Sequence, residues 1–285
     1  MYYIPLLLAL GSLYGSDLAN DFKARGYSEI CDKDYTTSTF DSLYESFEEL
    51  IQFLQTNRGW AQKLMIAKEQ FIRSSDRNYY GTDFFGFYDE SNRKGRDQIS
   101  FYYSAHFHQF VSSHFPEFNE VPEISSFLES CFRIQKTYGH LFIEAAFDLN
   151  LETLFMLHSE NLPPLLFKVI KYLPSYIPTR PHYDGSALTL FLHSTDNQSL
   201  LLSPYKSSFT IADFSSPSRK SLNQFGEPAM VLIPGSHLTE FSLFPTPHIV
   251  VQSNKTRYAT VAFAMRADYK VPKTKFSLLP KFTHN

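Results

Sequence analysis

The chain is poor in cysteine and tryptophan and carries almost no charge excess. Its 285 residues include two Cys, one Trp and 11 Gly, and 26 Lys+Arg face 29 Asp+Glu for a formal net charge of -3. Cys31 and Cys131 lie far apart in sequence and form neither a disulfide framework nor a CxxC zinc motif. Near-neutrality leaves no basic surplus to neutralise phosphates, which argues against a nucleic-acid partner. The N-terminal apolar run Ile4 to Leu10 is too short to span a bilayer. What the chain does have is apolar and aromatic material: 43% hydrophobic residues, with 28 Phe and 18 Tyr. That composition excludes disorder, and a chain of this length buries roughly three quarters of its unfolded surface without any covalent staple. The length suits one large domain or two small ones. The expectation is a soluble, cytoplasmic protein from a reducing compartment, monomeric, with no membrane partner.

Export is the competing reading of the N-terminus. A secretory signal wants a positive n-region, and no Lys or Arg precedes Lys23. A buried strand from Tyr3 to Leu7 fits better. A helix capped by Ser16 or Asp17 follows, turning Leu18, Phe22 and Ala19 inward, and Gly26 ends it before a short strand, Tyr27 to Ile30.

Beyond this the first half reads as mainly helical. Leu43, Tyr44, Phe47, Leu50, Ile51 and Leu54 follow one helix face from Phe40 onward, and a second long pattern runs from about Glu123 to Phe147. Between them, Asn78 to Tyr103 is rich in Tyr, Phe, Gly, Asp and Arg without a helical period, which suggests loops and short strands. The aromatic stretch from Tyr79 to Phe110 could line a pocket or simply pack helices on a sheet. Pro163-Pro164 marks a break. After it, Leu166–Tyr172, Ala187–His193, Ala229–Ile233, His248–Gln252 and Tyr258–Met265 are short β-rich runs between turn residues, as in an antiparallel sandwich or barrel. Residues 270 to 285 read as an extended strap.

Among ten histidines the informative one is His182, in Arg180-Pro181-His182-Tyr183-Asp184-Gly185. In extended chain, residues i and i+2 point to one side, so His182 and Asp184 can grip one ion. The pair alone is weak, since chance yields a His-x-Asp pair in roughly every second chain of this composition. Its context strengthens it. A strand of alternating pattern follows, Ala187 to Leu192, and His248 opens a later strand after Pro245-Thr246-Pro247. Two imidazoles and one carboxylate on a β scaffold form the facial triad of non-haem Fe(II) oxygenases. Arg257, on the next strand, could receive a carboxylate through two parallel hydrogen bonds. His106 and His108 share the i, i+2 spacing, but Phe107 and Phe110 point to helix or core packing. His193 and His237 read as loop or strand-end residues, and Arg180 and Arg266 as surface ion pairs.

These motifs resemble the isopenicillin N synthase-like branch of the Fe(II)/2-oxoglutarate-dependent dioxygenase superfamily. Pro181 to Phe191 is similar to its H-x-D-x-x-x-L-T-L-L segment, and Pro245 to Val250 to its P-T-x-H-R-V segment. Arg257-Tyr258-Ala259 falls on its Arg-x-Ser motif, and Lys171 to Pro174 resembles a segment whose Tyr helps bind 2-oxoglutarate or the substrate. Tyr3 to Leu7, Leu18 to Ile30 and Phe142 to Phe155 extend the likeness over nearly the whole chain. Ala259 stands in place of the family's Ser, Ile170 where many members place Asn, and Ile249 in place of Arg.

The resemblance implies an α+β protein with a mainly β core: a double-stranded β-helix (jelly roll) over about residues 165–268, an N-terminal helical buttress over 1–160 and a tail over 269–285. It implies Fe(II) held by His182, Asp184 and His248, 2-oxoglutarate as cosubstrate on Arg257 and Tyr172, and dioxygen. The activity it implies is hydroxylation or desaturation of a small organic substrate. The departures leave two alternatives in view: an oxidase that uses the iron without 2-oxoglutarate, and a degenerate jelly roll acting as a binding module.

Overall fold

The computed structural model describes residues 17–33, 35–74, 85–91, 97–151, 165–174, 181–204, 208–218, 222–251, 254–265 and 281–282. The expected strand Tyr3–Leu7, the break at Pro163-Pro164, Arg180, Arg266 and most of the tail lie outside these residues.

Asp17 starts the first helix, α1 (Leu18–Arg25), by accepting hydrogen bonds from the backbone N–H of Ala19 and Asn20. Gly26 stops it in the left-handed region at φ 80°, and strand β1 (Ser28–Ile30) follows. Leu18 and Phe22 are buried, as their spacing predicts. α2 (Ser38–Thr56) buries Phe40, Leu43, Tyr44, Phe47, Leu50, Ile51 and Leu54, the whole expected stripe. α3 (Arg58–Arg73) has no counterpart in the sequence reading. It buries Leu64, Ala67 and Phe71, while Met65 and Ile66 between them stay exposed and blur the period.

Strands β2 (Gly86–Asp89) and β3 (Gln98–Tyr103) come next, followed by α4 (Ala105–His114). The second long helical pattern is split into α5 (Pro122–Tyr138) and α6 (His140–Asp148). The break falls on Gly139, where an added Cβ would sit 2.7 Å from the Gln135 carbonyl oxygen. Only glycine tolerates that approach. The remaining strands are β4 (Leu165–Tyr172), β5 (Leu188–Ser194), β6 (Leu200–Leu202), β7 (Ser208–Phe209), β8 (Met230–Pro234), β9 (His248–Val250), β10 (Arg257–Ala264) and β11 (Lys281–Phe282).

Seven strands form one antiparallel sheet in the order β1-β8-β5-β10-β4-β3-β2. Three of them come from the mainly helical first half. β6 and β9 form a small antiparallel sheet, and β7 pairs with β11 in parallel. Val250 of the small sheet packs on Ile170, Tyr172 and Ala259 of the large one, while Leu200 and Leu202 pack on Val231 and Ile233. This is the expected double-stranded β-helix, with helices on its outer side. Among the described residues no helix is long and apolar enough to cross a membrane.

Residues opposite one another on paired strands share a sheet face. Phe101, Val169, Thr260 and His193 therefore point to the helices, and Phe101 meets Phe127 of α5 edge-on at 4.9 Å between centroids. Phe127 stacks on Phe47 of α2 at 5.1 Å, and Phe71, Phe85 and Phe107 join the same cluster. Much of the aromatic excess is thus helix-to-sheet packing. Polar groups fix the register of this layer. Lys171 bonds Glu48 at 2.6 Å, Tyr258 donates to Glu48 at 2.6 Å, and the Tyr44 hydroxyl meets His193 Nδ1 at 3.0 Å. Burial raises the Glu48 carboxyl, but hydrogen bonds from Lys171 and Tyr258 outweigh it and hold the group below its ordinary range.

Candidate metal centre

The opposite face of the large sheet carries Thr189 and Arg257. Just before β5 the chain runs extended through His182 and Asp184, and the backbone of His182 pairs with that of His248. His182 N–H donates to His248 O at 3.0 Å, and His248 N–H donates to His182 O at 2.9 Å. Asp184 projects to the same site, so one donor atom from each of His182, Asp184 and His248 lies within 4.8 Å of the others. The His248 Nε2 to Asp184 Oδ2 distance is 3.7 Å, and the two imidazole centroids are 4.3 Å apart. His182 is exposed, Asp184 half-buried and His248 buried.

Neighbouring groups orient these side chains. His248 Nδ1 lies 3.2 Å from the Thr246 carbonyl oxygen. A carbonyl can only accept, so Nδ1 carries the proton and the Nε2 lone pair is left for a ligand. The Thr189 hydroxyl, fully buried on β5, donates to Asp184 Oδ2 at 2.8 Å. Having given its proton to Asp184, Thr189 must accept from Ser186 Oγ, 2.9 Å away. Backbone bonds from Gly235, Ser236 and His237 to Ala187, Asp184 and Ser186 clamp this loop from behind. Gly235 is obligatory there, because any Cβ would collide with the Ser186 carbonyl.

Donors about 2.1 Å from one ion lie about 3.0 Å apart when they share one face of it, and three of them at most about 3.6 Å from one another. The three donor atoms lie within 4.8 Å of one another and would close on a single divalent ion by small side-chain rotations. Two imidazoles and one carboxylate suit iron, and they leave one side of the ion open.

Arg257 and Tyr172 are opposite one another on β10 and β4, and the guanidinium carbon stands 4.2 Å from the Tyr172 ring centroid. Arg257 is buried on the same face as the triad. It donates to Ser199 Oγ and, at 3.0 Å, to the Val251 carbonyl, just past β9. Ile170, Ala259 and Val250 form an apolar wall beside it. Four other candidate histidines lie elsewhere. His106 and His108 sit on α4, with His108 Nδ1 against the Tyr103 hydroxyl at 3.0 Å. His193 stacks on Phe40 on the helix face, and His237 is buried in the turn after β8. Sequence reasoning missed Thr189, Ser186, Thr246 and Ser199. Only Thr189 left a trace, as a hydroxyl inside an otherwise apolar strand.

The architecture is that of 2-oxoglutarate/Fe(II) oxygenases. The AtDAO1 dioxygenase for auxin oxidation from Arabidopsis thaliana, solved with 2-oxoglutarate, superposes with a TM-score of 0.55 at 14% identity, over 93% of this chain and 93% of that one. The dioxygenase for auxin oxidation of rice gives 0.52 at 12% identity, over 87% and 76%. JOX2, solved with 2OG, Fe and JA, gives 0.52 at 16% identity, over 92% and 72%. No family model and no curated protein sequence matches the chain. At such low identity the likeness establishes the fold alone.

Proposed function

We propose that this chain is a Fe(II)- and 2-oxoglutarate-dependent oxygenase that hydroxylates or desaturates a small organic molecule. In this reading His182, Asp184 and His248 hold the metal, and Arg257 with Tyr172 receives the distal carboxylate of 2-oxoglutarate. The observation that carries it is the convergence of the three donors at one point on the jelly roll. Bound iron with 2-oxoglutarate and dioxygen supplies the oxidising chemistry, in which 2-oxoglutarate becomes succinate and CO2 while a substrate C–H bond is oxidised.

The rest of the work falls to the chain. One carboxylate against a divalent ion leaves the centre net positive, which favours an anionic chelator. Thr189 keeps Asp184 aimed at the site, and the Thr246 carbonyl keeps His248 in the ligating tautomer. Bonds to Ser199 and Val251 fix the plane of the Arg257 guanidinium, so a carboxylate meets an oriented fork. Ala259 and Ile170 offer this site no hydroxyl or amide, and their apolar surfaces instead exclude water and strengthen the charge interaction. The reading requires a reducing compartment in which the two free cysteines and ferrous iron both persist.

The test is anaerobic titration with Fe(II) and then 2-oxoglutarate, followed by oxygen uptake. A weak visible absorption band on adding 2-oxoglutarate, lost in His182→Ala, is expected. Wild-type protein that binds no Fe(II) would end this reading, and iron retained without the band would leave an oxidase or binding module.

A further inference from the structure

β4 carries two lysines, and they are treated differently. Lys171 points to the helices and is neutralised by Glu48. Lys168 points to the metal face, is half-buried, and makes no ion pair among the described residues. Its ammonium lies instead over the ring of Tyr102 on β3, 5.0 Å from the centroid. Tyr102 meets Tyr88 of β2 edge-on at 5.5 Å, and the Lys68 ammonium caps the Tyr88 ring at 4.6 Å. Lys68 likewise makes no ion pair among the described residues. Two aromatic rings thus stand in one row with a half-buried cation at each end.

That row leads toward the metal centre. Tyr102 is opposite Lys168, Lys168 is opposite Val261, and Val261 is opposite Phe191. The Phe191 ring in turn meets His248 edge-on, with centroids 5.6 Å apart. Two strand spacings put the Lys168 backbone about 10 Å from that of Phe191. Between them the face is apolar, with Val261 next to Phe263 and Ile170. A molecule reaching from the iron along this face would lie on hydrocarbon and end against an ammonium that no described carboxylate pairs. A half-buried ammonium without a carboxylate costs desolvation that an anionic ligand would recover.

We propose that Lys168 is the anchor of the substrate pocket, and that the substrate is an apolar or aromatic acid whose carboxylate it binds. The inference rests on the oxygenase reading above and specifies its substrate class.

The test uses two matched probe pairs, phenylacetate with phenylacetamide and 2-naphthylacetate with 2-naphthylacetamide. They are titrated calorimetrically into the anaerobic protein with Fe(II) and saturating 2-oxoglutarate, so that the Arg257 site is already filled. Each acid is expected to bind about tenfold or more tightly than its amide. Lys168→Met and Lys168→Gln should erase that preference, and Lys168→Arg should keep it. Agreement between Met and Gln at unchanged thermal midpoint separates lost charge from lost packing. Equal binding of acid and amide, a preference surviving both neutral variants, or no binding by any probe would overturn the proposal. The absorption band of the same samples separates the two readings. A band without acid preference sinks the lysine anchor alone, and Lys168-dependent preference without a band sinks the oxygenase alone.

Discussion

The two faces of the seven-stranded sheet are made by alternate residues of the same strands and do different work. The helix face is an interlocked aromatic layer, Phe101 on Phe127 on Phe47, with its few polar groups matched to one another. The other face sets Thr189, Arg257 and Lys168 among apolar residues such as Ile170, Val261 and Phe191, with Asp184 just ahead of β5. The lesson is a separation of labour by strand parity. Helix packing falls on one phase of β4, β5 and β10 and, in the proposed reading, ligand chemistry on the other, so each should be removable without the other.

The sharpest break of that contrast is His182→Ala. His182 is exposed and packs nothing into the core, so Fe(II) affinity should fall by about a thousandfold or more while the metal-free melting temperature stays put. Removing one of three ligands is a larger loss than the 10–100-fold typical of an outer partner. The converse is Phe127→Ala, which should cost about 3–5 kcal/mol in urea unfolding, with Fe(II) stoichiometry per folded molecule unchanged. A loss of metal binding in the folded fraction would show that the faces are coupled.

Thr189→Val keeps the shape of a buried residue but leaves Asp184 Oδ2 without its donor and Ser186 without its acceptor. Fe(II) affinity should drop about 10–100-fold and recover in Thr189→Ser. The smallest effect belongs to Glu48→Gln on the helix face, about 1 kcal/mol once partial solvent screening is allowed for. The Glu48 carboxyl is depressed in the folded protein, so its contribution is present above the unfolded carboxylate range, near pH 4.3, and is lost as pH falls through the lower folded value. Wild type should therefore lose its advantage over the variant below about pH 4. An unchanged gap between them down to pH 3 would assign Glu48 no such role.

Much of this was legible in the chain. Five of the eight late strands fall within a few residues of their expected runs, because period-two alternation and turn residues are local signals, while the short β6, β7 and β11 were not expected. The triad was legible because extended backbone puts His182 and Asp184 on one side, although the bridge joining His182 to His248 was not. Pairings such as β3 with β4 and β1 with β8 join distant segments, and no local pattern announces them. α3 escaped because the exposed Met65 and Ile66 break its apolar period. Ser199 and Ser186 escaped because a serine at a strand end reads as a turn residue until its partner is known. The aromatic stretch divides by parity: Phe101 packs the helices, while Tyr88 and Tyr102 face the metal side.

The reciprocal backbone hydrogen bonds between His182 and His248 have a consequence for how the protein would acquire an ion. They set the two imidazoles side by side through backbone bonds alone, so in the proposed reading the ion would not have to build its own site. A ready-made cup of two imidazoles and a carboxylate also binds late first-row metals more strongly than iron. Which ion would fill the cup would therefore be set by the supply of free metal around the protein, and zinc or copper in excess would silence the proposed activity without unfolding the chain.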